Sequence, residues 1–191
     1  PIFKNRKTLE IGVGLGADHQ KLAEAGAILY GIDLTPRAIN HTQRRFELFG
    51  LYSNLYVADA ENLPFEDNFF DAVYSWGVIH HSPNTEKAAK EIYRVLKPDG
   101  IAKIMIYHKY SLVGYMLWIK YAFIALKPWR NLTYIYSQYL ESPGTKAYSY
   151  EDAKKLFKNF KIASIESPLT HGDLLQSQAG QRHRGIILSL A

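Results

Sequence analysis

Leu9-Glu10-Ile11-Gly12-Val13-Gly14-Leu15-Gly16, with Asp33 closing Gly31-Ile32-Asp33 further on, is the stretch that decides the fold. An apolar run that breaks into alternating glycines and then into an amphipathic segment reads as a buried strand handing over to a helix. Without a β-carbon the chain can turn tightly there, and a ligand can lie against the main chain. Asp33 follows Gly14 by 19 positions, at the end of a second apolar run, where a carboxylate can accept both hydroxyls of an adenosyl ribose. The glycine turn and the acid together are far more specific than either alone.

Working outward, short apolar runs alternate with amphipathic segments, the order of repeated strand-helix units feeding a parallel sheet. Thr8 to Ile11 predicts a first strand, Ala17 to Ala25 a helix stopped by Gly26, and Ile28 to Leu34 a second strand. Thr35 is placed to cap a helix with Pro36 in its first turn, running to Phe49 before Gly50. Leu55 to Ala58 and Phe70 to Val78 predict the third and fourth strands, and Thr85 to Leu96 a helix. Pro98-Asp99-Gly100 then turns into a fifth strand, Ile101 to His108, whose near-continuous apolar character suits a strand covered on both faces. After Tyr110 the alternation gives way to an aromatic-rich insert reaching Tyr150. A helix over Tyr150 to Phe160 and strands at Ile162 to Glu166 and Ile186 to Leu190 are expected beyond it. The expected fold class is α/β: a Rossmann-like three-layer sandwich with a mostly parallel seven-stranded sheet, an antiparallel last strand and a helical insert after the fifth strand. The 191 residues suit one domain, with a cofactor-binding half over 1–109, the insert over 110–150 and C-terminal elements over 151–191.

There is no cysteine, so thiolate chemistry, disulfides and cysteine-based zinc sites are excluded. No signal peptide opens the chain and no apolar run reaches the roughly 18 residues of a membrane span, so the expected location is cytoplasmic. Charge is unevenly placed, with 11 Lys and Arg against 13 Asp and Glu through Gly100, and 12 against 5 from Ile101 onward. A basic C-terminal half can meet an anionic substrate, nucleic acid or a membrane surface. It can equally be a solvated lysine face, as Lys154, Lys155, Lys158 and Lys161 opposite Ala153, Leu156 and Phe157 suggest.

The glycine loop reads E-x-G-x-G-x-G, whereas dinucleotide sites favour G-x-G-x-x-G with a helix N-terminus facing the pyrophosphate. The Glu10 carboxylate would repel a pyrophosphate but can hold the ammonium of a methionine moiety, which disfavours NAD. With these residues in place the sequence resembles class I S-adenosylmethionine-dependent methyltransferases of the type 11 group, similar to ubiquinone and menaquinone biosynthesis methyltransferases. The resemblance runs from about Lys7 to Tyr107. It rests on Glu10 to Gly16, Asp33, Ala58-Asp59-Ala60-Glu61-Asn62-Leu63-Pro64-Phe65, Phe70-Asp71-Ala72-Val73-Tyr74-Ser75 with Val78-Ile79-His80-His81, and Arg94-Val95-Leu96-Lys97-Pro98-Asp99-Gly100. Asp99 stands where the family usually has glycine, and the helix that family members carry ahead of the first strand has no counterpart after Pro1, as in a trimmed sequence.

The resemblance implies S-adenosylmethionine as cofactor, held by Glu10, Gly12, Gly14, Gly16, Asp33, Leu34, Asp59, Ala60, Ser75 and Trp76. Asp59 would take the adenine amine, although an Asp after a strand often caps the next turn. Trp76 would line the pocket or simply pack in the core. Methyl transfer from a sulfonium is a direct displacement that mainly requires alignment, and His81 is the candidate catalytic residue, able to deprotonate or orient an acceptor hydroxyl. No metal is expected; neighbouring His80 and His81 rarely face one ion. The acceptor is expected to be a small molecule, apolar or aromatic, because Trp129, Tyr134, Tyr136 and Tyr139 fit a pocket for a flat or greasy acceptor, though they fit plain core packing equally. Leu112, Tyr115, Met116, Ile119, Phe123 and Leu126 fall at helical spacing while Trp118, Tyr121 and Ile124 make the same helix apolar nearly all round. Such a segment must be covered, as a lid, as an oligomer face through 111–140, or by a membrane surface in peripheral contact; nucleic acid is disfavoured. The alternatives are a non-catalytic nucleoside-binding module docking on nucleic acid or membrane, and an NAD-dependent oxidoreductase.

Overall fold

The computed structural model describes residues 3–168, in two compact units that meet in sequence between Ile106 and Tyr107. The first unit is built on five parallel strands in the order β3-β2-β1-β4-β5: β1 (Lys7–Ile11), β2 (Ile28–Asp33), β3 (Asn54–Val57), β4 (Phe70–Trp76) and β5 (Leu96–Met105). Between them run α1 (Ala17–Glu24), α2 (Pro36–Phe49) and α3 (Thr85–Val95). Crossovers between parallel strands are right-handed. The two that step from β1 to β3 therefore lay α1 and α2 on one face, and the step from β4 to β5 lays α3 on the other. Leu22 of α1, Phe46 of α2 and Leu29 of β2 pack together with Tyr74 of β4 on the first face. Ala88, Ala89, Ile92 and Val95 of α3 are buried on the second.

Local chemistry sets the boundaries. Thr35 caps α2 by accepting the Ala38 N–H, Pro36 fills its first turn, and Gly50 ends it with φ at 63°. β1 lies between two neighbours and buries Thr8, Leu9, Glu10 and Ile11 alike. Two expectations at the fifth strand change. Pairing with β4 resumes at Ile101 after Leu96, so Lys97–Gly100 form an irregularity within β5 rather than a turn before it, with Asp99 at φ 63°. And β5 is the edge of the described sheet, with Ile101 and Lys103 exposed, not covered on both faces.

The second unit contains α4 (Leu112–Trp118), a π-helical turn over Ile119–Phe123, α5 (Leu132–Tyr139) and α6 (Tyr150–Leu156). Its own core is small: Leu117, Ala122 and Ile135, with Val113, Trp118, Tyr121, Tyr139 and Leu140 around them. A capping box between Ser149 and Asp152 opens α6, whose lysines are exposed as a solvated face. Residues 162–166 form no strand and are exposed, a correction to the sixth strand expected there. The Ile186 to Leu190 strand lies outside the described residues. Among the described residues no helix is long and apolar enough to cross a membrane.

Candidate functional site

β1 and β4 are parallel neighbours, yet the chain leaves them toward opposite edges of the sheet. Outside the carboxyl ends of such a pair lies the crevice where open α/β sheets take their ligands. Ile11 lies opposite Ser75 at this point, so the loop after β1, Asp33 at the end of β2, Asp59 and Ala60 after β3, and Ser75 and Trp76 of β4 all belong to one sheet edge.

The glycine loop is anchored from below. Gly12 and Val13 both donate backbone N–H groups to Ile32 O, at 2.8 and 3.1 Å, and Gly16 donates to Val13 O. Gly12 adopts φ 81°, and a β-carbon there would overlap the Val78 side chain. Thr42 of α2, fully buried, donates to Gly14 O at 3.3 Å. A β-carbon on Gly14, by contrast, would meet nothing within 4 Å. The bend is tight beneath and open above.

Asp33 spans this bend. Its Oδ2 accepts the Gly14 N–H at 3.1 Å, while Oδ1 accepts the Thr35 N–H at 2.9 Å and the Thr35 hydroxyl at 2.8 Å. A carboxylate offers about four acceptor positions, so these three bonds fix its orientation and leave one position on Oδ2. Leu34 is 70% exposed beside it. Asp59 Oδ1 accepts the Glu61 N–H at 2.9 Å, so its side chain caps the turn after β3, with Ala60 buried next to it. Ser75 is fully buried and its hydroxyl has no hydrogen-bond partner among the described residues. Trp76 is 46% exposed, stacked on Tyr74 at 6.0 Å with Lys103 over its outer face, so it is not a core residue. His80 and His81 follow in a short 3₁₀ turn, Ile79–His81, with ring centroids 4.2 Å apart, His80 buried and His81 half-buried.

Glu10 has a partner that the sequence reading missed. Its Oε2 lies 2.7 Å from Nδ1 of His19, a fully buried residue of α1, and His19 Nε2 lies 2.8 Å from Ser53 Oγ. Ser53 donates its own proton to Leu29 O at 3.1 Å. Ser53 therefore accepts from Nε2–H, and a neutral imidazole then leaves Nδ1 to accept from a protonated Glu10 carboxyl. Burial pushes Glu10 up to about 8, helped by nearby Asp18, and pushes His19 down to about 3, which is the same assignment. The pair is therefore a neutral hydrogen bond, not an ion pair. Through His19, Glu10 ties β1 to α1 beneath the loop. Gly31 makes room for this: a β-carbon there would come within 2.6 Å of the His19 ring. A histidine nine positions after the acid, opposite a glycine of the next strand, was the available signal.

Residues 9–104 match the model of a family described as a methyltransferase domain. The sterol 4-C-methyltransferase strm-1 of Caenorhabditis elegans is 35% identical over 108 residues, covering 56% of this chain and 32% of that protein. The phosphoethanolamine N-methyltransferase 2 of the same organism is 39% identical over 113 residues, covering 56% of this chain and 25% of that protein. The crystal structure of a putative sarcosine dimethylglycine methyltransferase from Galdieria sulphuraria superposes with a TM-score of 0.52 at 26% identity, over 54% of this chain and 39% of that one. The chain thus spans a quarter to a third of the length of the two curated relatives.

Proposed function

The chain belongs to the methyltransferase domain family, and from that premise we propose that it transfers a methyl group from S-adenosylmethionine to a small-molecule acceptor by direct displacement. The observation that carries the reading is the Asp33 carboxylate, oriented by three donors across a bend that is open above Gly14. The residues fit the cofactor on one further count: at the same edge Ser75 keeps a buried hydroxyl without a hydrogen-bond partner among the described residues. When bound, the cofactor supplies an activated methyl on a sulfonium.

The chain's own residues position and enclose. Asp33 grips the ribose through its remaining Oδ2 position; Gly12, Gly14 and Gly16 keep the main chain close; Leu34, Ala60 and Trp76 border the nucleoside, and Asp59 holds the turn that carries Ala60. Glu10 supports the loop through His19. His81 deprotonates or orients the acceptor, and His81→Ala is expected to lower kcat by roughly 10²-fold with cofactor affinity unchanged. The relatives' names cover a sterol and a phosphoethanolamine; the aromatic richness of residues 110–139 supports an apolar or aromatic acceptor.

Calorimetric titration with S-adenosylmethionine and with NAD, wild type against Asp33→Ala, tests the proposal. Binding of the former alone is expected, weakened roughly 10- to 100-fold in the variant, as charge-assisted hydrogen bonds would give. Equal affinity in both proteins would remove Asp33 from the site, and tight NAD binding would overturn the cofactor.

A further inference from the structure

The second unit buries the wrong side of its helix for a protein surrounded by water alone. Through α4 and the π-helical turn, the inward positions are Gly114, Leu117 and Ala122, the last two packed with Ile135. The outward positions Leu112, Tyr115, Ile119, Phe123 and Leu126, spaced three or four apart, are all exposed and all large and apolar. Leu126 is 82% exposed, and Trp129, three residues on, is 75% exposed. The tip is also held in shape. Trp118 Nε1 donates to Arg130 O at 2.6 Å, and Arg130 Nη1 donates to Tyr121 O and to the Tyr139 hydroxyl at 3.0 and 3.1 Å, which pins both ends of the turn around Leu126.

The charges along this stretch of sequence have one sign. Residues 107–140 contain Lys109, Lys120, Lys127 and Arg130 and no Asp or Glu. A second copy of the chain would bring like charges together across a two-fold interface, which opposes self-association. An anionic bilayer meets every part of the pattern: apolar side chains enter the acyl boundary, tyrosine and tryptophan rings rest at headgroup depth, and lysines reach back to phosphates. We propose that the face formed by Leu112, Tyr115, Ile119, Phe123, Leu126 and Trp129 is a docking surface for a membrane rich in anionic lipid. The docking does not depend on the methyl-transfer reading, and one measurement can fail without the other.

The test is co-sedimentation of the purified chain with vesicles of phosphatidylcholine alone or with about one-third phosphatidylglycerol, at low and high salt, alongside cofactor titration. Wild type is expected to bind the anionic vesicles, to bind them less at high salt, and to bind the neutral ones weakly. Phe123→Glu/Leu126→Glu/Trp129→Glu, with its far-ultraviolet circular dichroism and cofactor affinity unchanged, is expected to lose at least tenfold in vesicle affinity. Lys127→Glu should lose about fivefold or more, from roughly 1 kcal/mol per basic group at such a surface. No vesicle binding by wild type, or equal binding by the triple variant, would overturn the proposal. So would a wild-type dimer, seen by sedimentation velocity, that the triple variant abolishes without any vesicle binding.

Discussion

The two units spend their apolar residues differently. In the first, Leu9, Phe70, Ala72, Val73, Ile79, Ala88, Ile92 and Val95 are fully buried, because strands and helices there each have a neighbour on the face their sequence makes apolar. In the second, a small cluster around Leu117 and Ile135 is enclosed, and Tyr136 is buried, while Phe123, Leu126 and Trp129 face outward. The same residue types therefore act in one place as the cohesion of the fold and in the other as a surface. Sequence hydrophobicity reports how much apolar area exists, not which of these two uses it has.

That contrast can be broken by substitution. Ile92→Ala, at a fully buried position of α3, is expected to destabilise by about 2–5 kcal/mol in urea unfolding; a loss below about 1 kcal/mol would mean the first unit's core is less cohesive than its packing implies. Arg94→Leu comes next. Its guanidinium donates to Leu63 O and Phe65 O and pairs with Glu91 and Asp67, so it ties down the segment between β3 and β4. A loss of about 1–3 kcal/mol is expected, much of it from carbonyls left without a donor.

A third effect is a matter of pH. Unfolded, Glu10 and His19 titrate near 4.5 and 6.5; folded, burial moves them to about 8 and about 3. Between 3 and 4.5 the unfolded chain holds the extra proton, on His19, so stability rises with pH. From 4.5 to 6.5 the folded acid's proton offsets the unfolded imidazole's, and the pair contributes a plateau. Between 6.5 and 8 the folded state holds one proton more, on Glu10, and stability falls as pH rises. Glu10→Gln, whose amide can still donate to His19, should lose both the plateau and the decline, stability rising with pH to about 6.5 and staying level through pH 8 in urea midpoints measured across this range; an unchanged decline would remove Glu10 as its source. The smallest effect is expected at the stripe itself: Leu126→Ser should change stability by no more than about 0.5 kcal/mol. A cost near that of Ile92→Ala would show that the stripe is a buried face after all.

The difference also explains what could be read in advance. Thr35-Pro36 at one end of α2 and Gly50 at the other mark its limits in chemistry that does not depend on neighbours, and the bounds Pro36–Phe49 follow from them. The glycine loop and Asp33 were equally legible, since turn geometry and an acid at a strand end are local. His19 was not, because its role arises from β1, α1 and the start of β3 meeting in space. The exposure of β5 depends on its being the edge of the described sheet, which an apolar run cannot state. For α4 and the π-helical turn, residues apolar nearly all round give no preferred face, so periodicity could not say that Gly114 and Ala122 point in and Phe123 points out.

The side-by-side placement of β1 and β4 has a consequence for how the molecule is made. Their edge is closed by pairings such as Thr8 with Ala72 and Ile11 with Ser75, and by the Lys7 N–H on Asp71, a contact spanning 64 positions of sequence. Joining such distant segments must overcome loop-closure entropy before any reward is collected, so this seam should be among the slow steps of folding. On a ribosome the glycine bend would therefore emerge before β4 and remain half a cleft until β4 has left the exit tunnel.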